Sequence, residues 1–264
     1  MVMETELDLD FTKSAQENAS DYFLKSKQAK KKIQGAAEAI KQLEKELETK
    51  ERSASNERAV QISKIRKKEW YEKFHWFFTS TGMLAIGGKD AVQNDAINSK
   101  YFNDDDLFFH ADIFGASVVI LKNGVGADKE TKEEVAQFAA CFSRAWDSGM
   151  SSADVYCLHR SQISKSSNKG YLATGSFLMS GEREWFKGMP LVLYAFVEDS
   201  EYGKLFKLIP KKTYEVLKPK NSIEVKPGKQ KKSDASKQLA KELGFNDIDY
   251  IMQQLPSGSF QVKK

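Results

Sequence analysis

Hydrophobic residues recur along the chain with two periods, and the change of period divides it. Between residue 13 and about 48, Tyr22, Ser26, Ala29, Ile33, Ala36, Ile40, Leu43 and Leu47 follow alternating steps of four and three. That is a heptad seam, with Lys and Glu filling the exposed positions. "TKERSASNER" (49–58) interrupts it with small polar residues, and Val60, Ile62, Ile65 and Trp70 supply a second apolar set. The pattern predicts a long helix, a polar tip and a shorter second helix over residues 1–69, an antiparallel coiled-coil hairpin.

After residue 70 the period shortens. "HWFFT" and "MLAIGG" are short apolar runs separated by Ser-Thr-Gly, the pattern of a β-hairpin. "GGKDAVQNDAINSKYF" (87–102) predicts a glycine turn and then a helix capped near Asp90. Strands are expected at about 106–113, 117–123, 153–160, 175–181, 190–199 and 204–210. An amphipathic helix is expected over 128–149, with acids in its first turns and Gly149 as its stop. Hairpins and packed helices without βαβ regularity argue for an α+β domain over 70–215, built on a mixed, mostly antiparallel sheet. A lysine-rich linker and two short helices would complete the chain over 216–264.

Composition narrows the chemistry. The 264 residues are 41% hydrophobic and 30% charged, and no apolar run is long enough to cross a membrane. The acidic N-terminus lacks the basic start and apolar stretch of a signal peptide, so a cytoplasmic protein without membrane contact is expected. Net charge is only +4, but it is clustered. "KSKQAKKK" (25–32), "KIRKK" (64–68) and "KPKNSIEVKPGKQKK" (218–232) are basic runs of the kind that suits phosphate backbones. Cys141 and Cys157 lie in apolar patterns, and neither they nor the three histidines have metal-ligand spacing. Phosphate-loop, dinucleotide and nucleophile-elbow motifs are absent, so no cofactor is expected.

"DDDLFFHADIFGAS" (104–117) holds the most suggestive constellation. On a strand, Leu107, Phe109, Ala111 and Ile113 share one face, and Phe108, His110 and Asp112 share the other. Asp112 could orient the His110 imidazole. Such a face could stack and hydrogen-bond a base. It could also hold a general base, given a second catalytic group, or it could simply pack, with His110 bridging to the turn at Gly115. The three aspartates most simply mark a turn.

"WYEKFHWFFTSTGMLAIGGKDAVQND" and "DLFFHADIFGASVVILKN" resemble the signature segments of the NFACT-R domain. "FAACFSRAWDSG", "VYCLHRSQISKS", "GYLATGSFLMSGEREW" and "PLVLYAFVED" continue the resemblance in order over about 65–200. The preceding hairpin is similar to the NFACT family's middle coiled coil. The His-Ala-Asp form looks archaeal or eukaryotic rather than bacterial. The resemblance implies a ribosome-associated quality-control factor that binds large-subunit rRNA and tRNA on stalled nascent-chain complexes and is not itself an enzyme. A nucleic-acid-modifying enzyme using His110 and Asp112 is the first alternative. A scaffold that recruits a quality-control partner, or an NFACT-N-containing protein, through the coiled coil is the second. The tRNA-recruiting Asp-Arg pair belongs to the family's NFACT-N part, which this sequence does not match, so tail elongation by this chain alone is not expected. Candidate RNA contacts are the cations Arg66, Lys67, Lys68, Lys89, Arg144 and Lys165, the ring of Trp76, and the polar pair His110 and Asp112.

Overall fold

A computed structural model describes residues 8–65, 68–167, 170–200 and 203–263. The chain divides into two units, 1–58 and 59–264. Helix α1 runs from Ala15 to Ile65. It begins with a capping box: the Ser14 backbone N–H donates to Glu17 Oε2 at 2.7 Å, and the Glu17 N–H donates to Ser14 Oγ at 3.3 Å. The expected tip at 49–58 does not turn, and one continuous helix replaces the two arms. The reason is local, because that stretch carries neither proline nor glycine to end a helix. Along α1, Ile33, Ile40 and Leu43 of the predicted seam are exposed.

The second unit is an α+β fold. Its strands are β1 (His75–Phe78), β2 (Leu84–Gly87), β3 (Leu107–Ala111), β4 (Val119–Leu121), β5 (Ser152–His159), β6 (Ile163–Ser164), β7 (Ser166–Ser167), β8 (Gly170–Tyr171), β9 (Leu178–Met179), β10 (Glu184–Pro190), β11 (Leu193–Ser200), β12 (Gly203–Pro210), β13 (Ile223–Gln230) and β14 (Phe260–Lys263). Its further helices are α2 (Ala91–Lys100), α3 (Lys129–Cys141), α4 (Arg144–Asp147), α5 (Lys211–Leu217), α6 (Lys232–Leu243) and α7 (Ile248–Gln254). Six strands form an antiparallel sheet in the order β1-β2-β4-β3-β5-β10, and β12-β11-β13-β14 form a second.

Helix α3 packs against strands of both sheets. Its Val135, Phe138 and Ala139 meet Phe109, Val155, Leu193 and Phe206 in one buried cluster. The other face of the six-stranded sheet is covered too. Phe108, Ile120, Tyr156 and Leu158 pack there with Trp76, Ile97, Phe102 and Ile163. The second face of β3 is therefore a second core at Phe108, not an open polar surface. Central strands of a sheet sandwiched between layers are apolar on both sides.

Two other expectations change. The helix predicted over 128–149 breaks at Phe142, and Ser143 caps a new short helix by accepting from the Ala145 N–H at 3.2 Å. The stretch expected to be a lysine-rich linker contains strand β13, whose Ile223 and Val225 are buried against β11. Among the described residues no helix is long and apolar enough to cross a membrane, and no group of three His, Cys, Asp or Glu could hold a metal. Both thiols are buried, and burial pushes Cys157 up to about 12 and Cys141 up as well, which makes them poor nucleophiles.

Candidate nucleic-acid interface

The His-Ala-Asp segment ends β3 and enters a tight turn. Gly115 sits at φ +79°, where a Cβ would approach Arg144 Nε to 2.9 Å. The positive φ favours glycine there, and the exposed Arg144 side chain lies across the turn. The turn pushes Phe114 into solvent at 89% exposure, with the Arg144 guanidinium 5.9 Å from its ring centre. Asp112 is exposed.

His110 starts a row of rings that crosses three adjacent strands. Its neighbour on β5 is Tyr156, whose neighbour on β10 is Trp185. His110 Nδ1 lies 3.2 Å from the Tyr156 hydroxyl, which also donates to Met179 Sδ at 2.9 Å. Ring centres are 5.7 Å apart for His110 and Tyr156, and 5.4 Å for Tyr156 and Trp185. Burial lowers the pKa of His110, with the Arg183 charge adding to it; hydrogen bonding to the backbone at Ala111 and Ala116 and the Asp112 charge oppose it. The imidazole is therefore neutral near pH 7. Burial raises the Tyr156 hydroxyl, which stays protonated.

The row opens to solvent at its far end. Trp185 is 39% exposed. The Arg183 guanidinium lies 4.3 Å from the Tyr156 ring centre, and the Lys187 ammonium 3.9 Å from that of Trp185. Lys187 also pairs with Asp154 at 2.9 Å. An exposed indole flanked by two cations is what a stacked base and its phosphate need. The readings of single motifs missed Arg183, Trp185 and Lys187. The alternation in "REWFK" was the available signal, since alternate residues share a strand face.

The predicted contacts scatter. Arg66 and Lys67 lie outside the described residues. Lys68 and Arg144 are exposed and Lys89 is half-buried. Trp76 is buried in the second core. Lys165 clamps two segments together, donating to Asp95 at 2.6 Å and to the Ala173 and Ser176 carbonyls at 2.8 and 3.0 Å. His110 and Asp112 stand at the inner end of the ring row, with Tyr156 rather than Asp112 as the side-chain hydrogen-bond partner of the imidazole. The row ends at edge strand β10, whereas Lys68 precedes β1, the strand at the opposite edge, and Lys89 follows β2, the neighbour of β1. Five strand spacings separate those edges, about 24 Å.

Residues 73–181 match the family described as the NFACT protein RNA binding domain. The chain carries an NFACT-R domain. It is also homologous to named ribosome quality-control factors. It is 39% identical over 211 residues to the archaeal Rqc2 homolog aRqcH of Methanocaldococcus jannaschii, covering 76% of this chain and 30% of that protein. It is 36% identical over 173 residues to the human ribosome quality control complex subunit NEMF, covering 64% of this chain and 16% of that protein. It is 29% identical over 184 residues to ribosome quality control complex subunit 2 of Saccharomyces cerevisiae, covering 67% and 17%. The chain thus spans less than a third of the length of these three relatives. The glycine turn at Gly115 and the strand carrying His110 both lie inside the NFACT-R match. Arg183, Trp185 and Lys187 follow immediately after it.

Proposed function

We propose that this chain is an RNA-binding component of ribosome-associated quality control, acting on large-subunit rRNA and tRNA of stalled nascent-chain complexes. The match of residues 73–181 to an RNA-binding domain carries this reading. The exposed Trp185 between Arg183 and Lys187 gives it a chemistry, and the names of the relatives give it a setting. The ribosome would supply the bond-making chemistry, so the chain acts as a binding factor in the cytoplasm rather than as an enzyme. The exposed Ile33, Ile40 and Leu43 of α1 suit a helical protein partner, either a quality-control subunit or an NFACT-N-containing protein. The family-matched residues Lys89, His110, Asp112, Arg144 and Lys165 would serve in two ways: Lys89 and Arg144 as phosphate contacts, and the others in shaping the surface.

A filter-binding titration against tRNA tests the stacking surface. Trp185→Ala should weaken binding by about tenfold, within the range for losing one stacked base. The salt dependence should stay unchanged, because no charge is removed. Wild-type affinity in the variant would remove Trp185 from the interface.

A further inference from the structure

Helix α1 presents an apolar seam to solvent from Ile33 to Leu43. The segment before the helix folds back over its start only: the Tyr22 hydroxyl donates to the Asp8 carbonyl at 2.8 Å, and Asn18 Nδ2 donates to the Asp10 carbonyl at 2.9 Å. Further on, Ile33, Ile40 and Leu43 are 68%, 57% and 60% exposed. The shorter arm expected to cover them continues the same helix to Ile65, and a helix cannot cover its own face. Large apolar residues exposed at heptad spacing mark a surface built to pack against another helix.

The charges beside the seam say which helix. The alternating steps put Ile33 and Ile40 at a positions of the heptad, and Ala36 and Leu43 at d positions. The flanking e positions are then Lys30, Ala37 and Glu44, and the flanking g positions are Lys32, Ala39 and Glu46. All six residues are exposed. Both flanks therefore run from lysine through alanine to glutamate along the helix.

That order suits a second copy of the same helix running the opposite way. In an antiparallel pair e meets e and g meets g. With residue 38 of the two copies level, Lys30 faces Glu44 of the second copy and Lys32 faces its Glu46. Two-fold symmetry repeats both pairs. The same register layers Ile33 against Leu43 and Ile40 against Ala36 of the second copy. Ala37 and Ala39 meet their own counterparts at the centre, where small side chains let the helix axes approach to about 8 Å. Sliding by one heptad would face Glu44 and Glu46 with Ala37 and Ala39, or with Phe23 and Lys25, and lose most of the charge matching. A parallel pair is worse. There g meets the e position of the next heptad, so Lys25 would face Lys30 of the second copy and Glu44 would face Ala39.

We infer that α1 pairs antiparallel with α1 of a second copy of this chain, along the seam from Ile33 to Leu43, held in register by Lys30 with Glu44 and Lys32 with Glu46. This goes beyond the RNA-binding reading and does not rest on it; it names an occupant for the helical face described under the proposed function. A quality-control subunit or an NFACT-N-containing protein would have to compete with the second copy for that face. The seam is short, so the dimer should form and dissociate with concentration.

Sedimentation equilibrium of the full chain, freed of nucleic acid by nuclease, tests this. The average mass of the wild type should rise from 29.9 kDa toward twice that value as concentration increases. Ile40→Asp changes a residue exposed in the free chain and should keep it at the monomer mass, because a carboxylate would be buried in each of two apolar layers. Lys30→Glu with Lys32→Glu should weaken the dimer by about tenfold, since every ion pair becomes a repulsion. Glu44→Lys with Glu46→Lys should do the same. Mixed in equal amounts, the two charge variants should associate as the wild type does, because each lysine again faces a glutamate. Circular dichroism checks that the variants keep their helix, and if Ile40→Asp does not, the mixing experiment decides. A wild type that stays monomeric at the highest concentration overturns the inference, as does wild-type association of Ile40→Asp. Tighter association of Lys30→Glu with Lys32→Glu alone would mean parallel helices and overturn it too. A monomeric chain that still binds tRNA would leave the RNA-binding reading standing.

Discussion

Replacing Trp146 by alanine should destabilise the chain by about 4 kcal/mol and lower its melting temperature by roughly 10 °C. Trp146 lies in the short helix α4 and is 1% exposed. Its ring centre is 5.7 Å from that of Phe260, and its indole N–H donates to the Ser259 carbonyl at 3.2 Å. Residue 146 thus fastens the last strand, β14, to the body that contains α3. Gly258 supports the same junction, since a Cβ there would come within 2.7 Å of Asp147 Cα. The alanine variant would lose the buried ring, leave a cavity and give up the indole hydrogen bond to Ser259. Thermal unfolding followed by circular dichroism checks this. A shift of only a degree or two would mean that the C-terminal segment docks without Trp146.

The second large effect is expected at Asp106. This carboxylate is fully buried and accepts the backbone N–H groups of Asn103 at 2.7 Å and Asn123 at 2.8 Å. It also pairs with the Lys122 ammonium, which donates further to the Tyr101 carbonyl at 2.6 Å. One side chain therefore ties the end of α2, the start of β3 and the end of β4. Asp106→Ala should cost about 3 kcal/mol, because two backbone donors and a half-buried ammonium lose their acceptor together. Urea unfolding of the two proteins measures it. A difference below about 0.5 kcal/mol, the size of an ordinary surface substitution, would contradict the account of this junction.

Asp106 also shows what the sequence made legible. The run Asp104-Asp105-Asp106 was readable as a turn before a strand, and it is one. That the third aspartate is buried and the first two are exposed depends on Lys122 and Asn123, which are distant in sequence. Elements set by local chemistry were predictable in this way, including the Asp90 cap, the start of α3 at Asp128 and the hairpin at Gly82. Elements set by tertiary pairing were not. In "NSIEVKPGKQ" the lysines suggested solvent, although Ile223 and Val225 carried a strand's alternation. The seam that stops at 48 suggested a tip, yet losing a hydrophobic stripe does not by itself break a helix.

The candidate surface was half legible for the same reason. His110 and Gly115 stood out because their segment is distinctive, whereas Tyr156 and Trp185 join His110 only when β3, β5 and β10 align. Lys89 was visible as a basic residue. Its half-burial, and the bond from its backbone N–H to the Gln93 side chain, exist only in the fold.

Cosedimentation with isolated large ribosomal subunits tests the central claim most directly. The chain should pellet with the subunits at low salt and be released steeply as salt rises, as phosphate contacts require. A chain that stays in the supernatant at low salt, or pellets without regard to salt, would contradict an RNA-binding role on the ribosome.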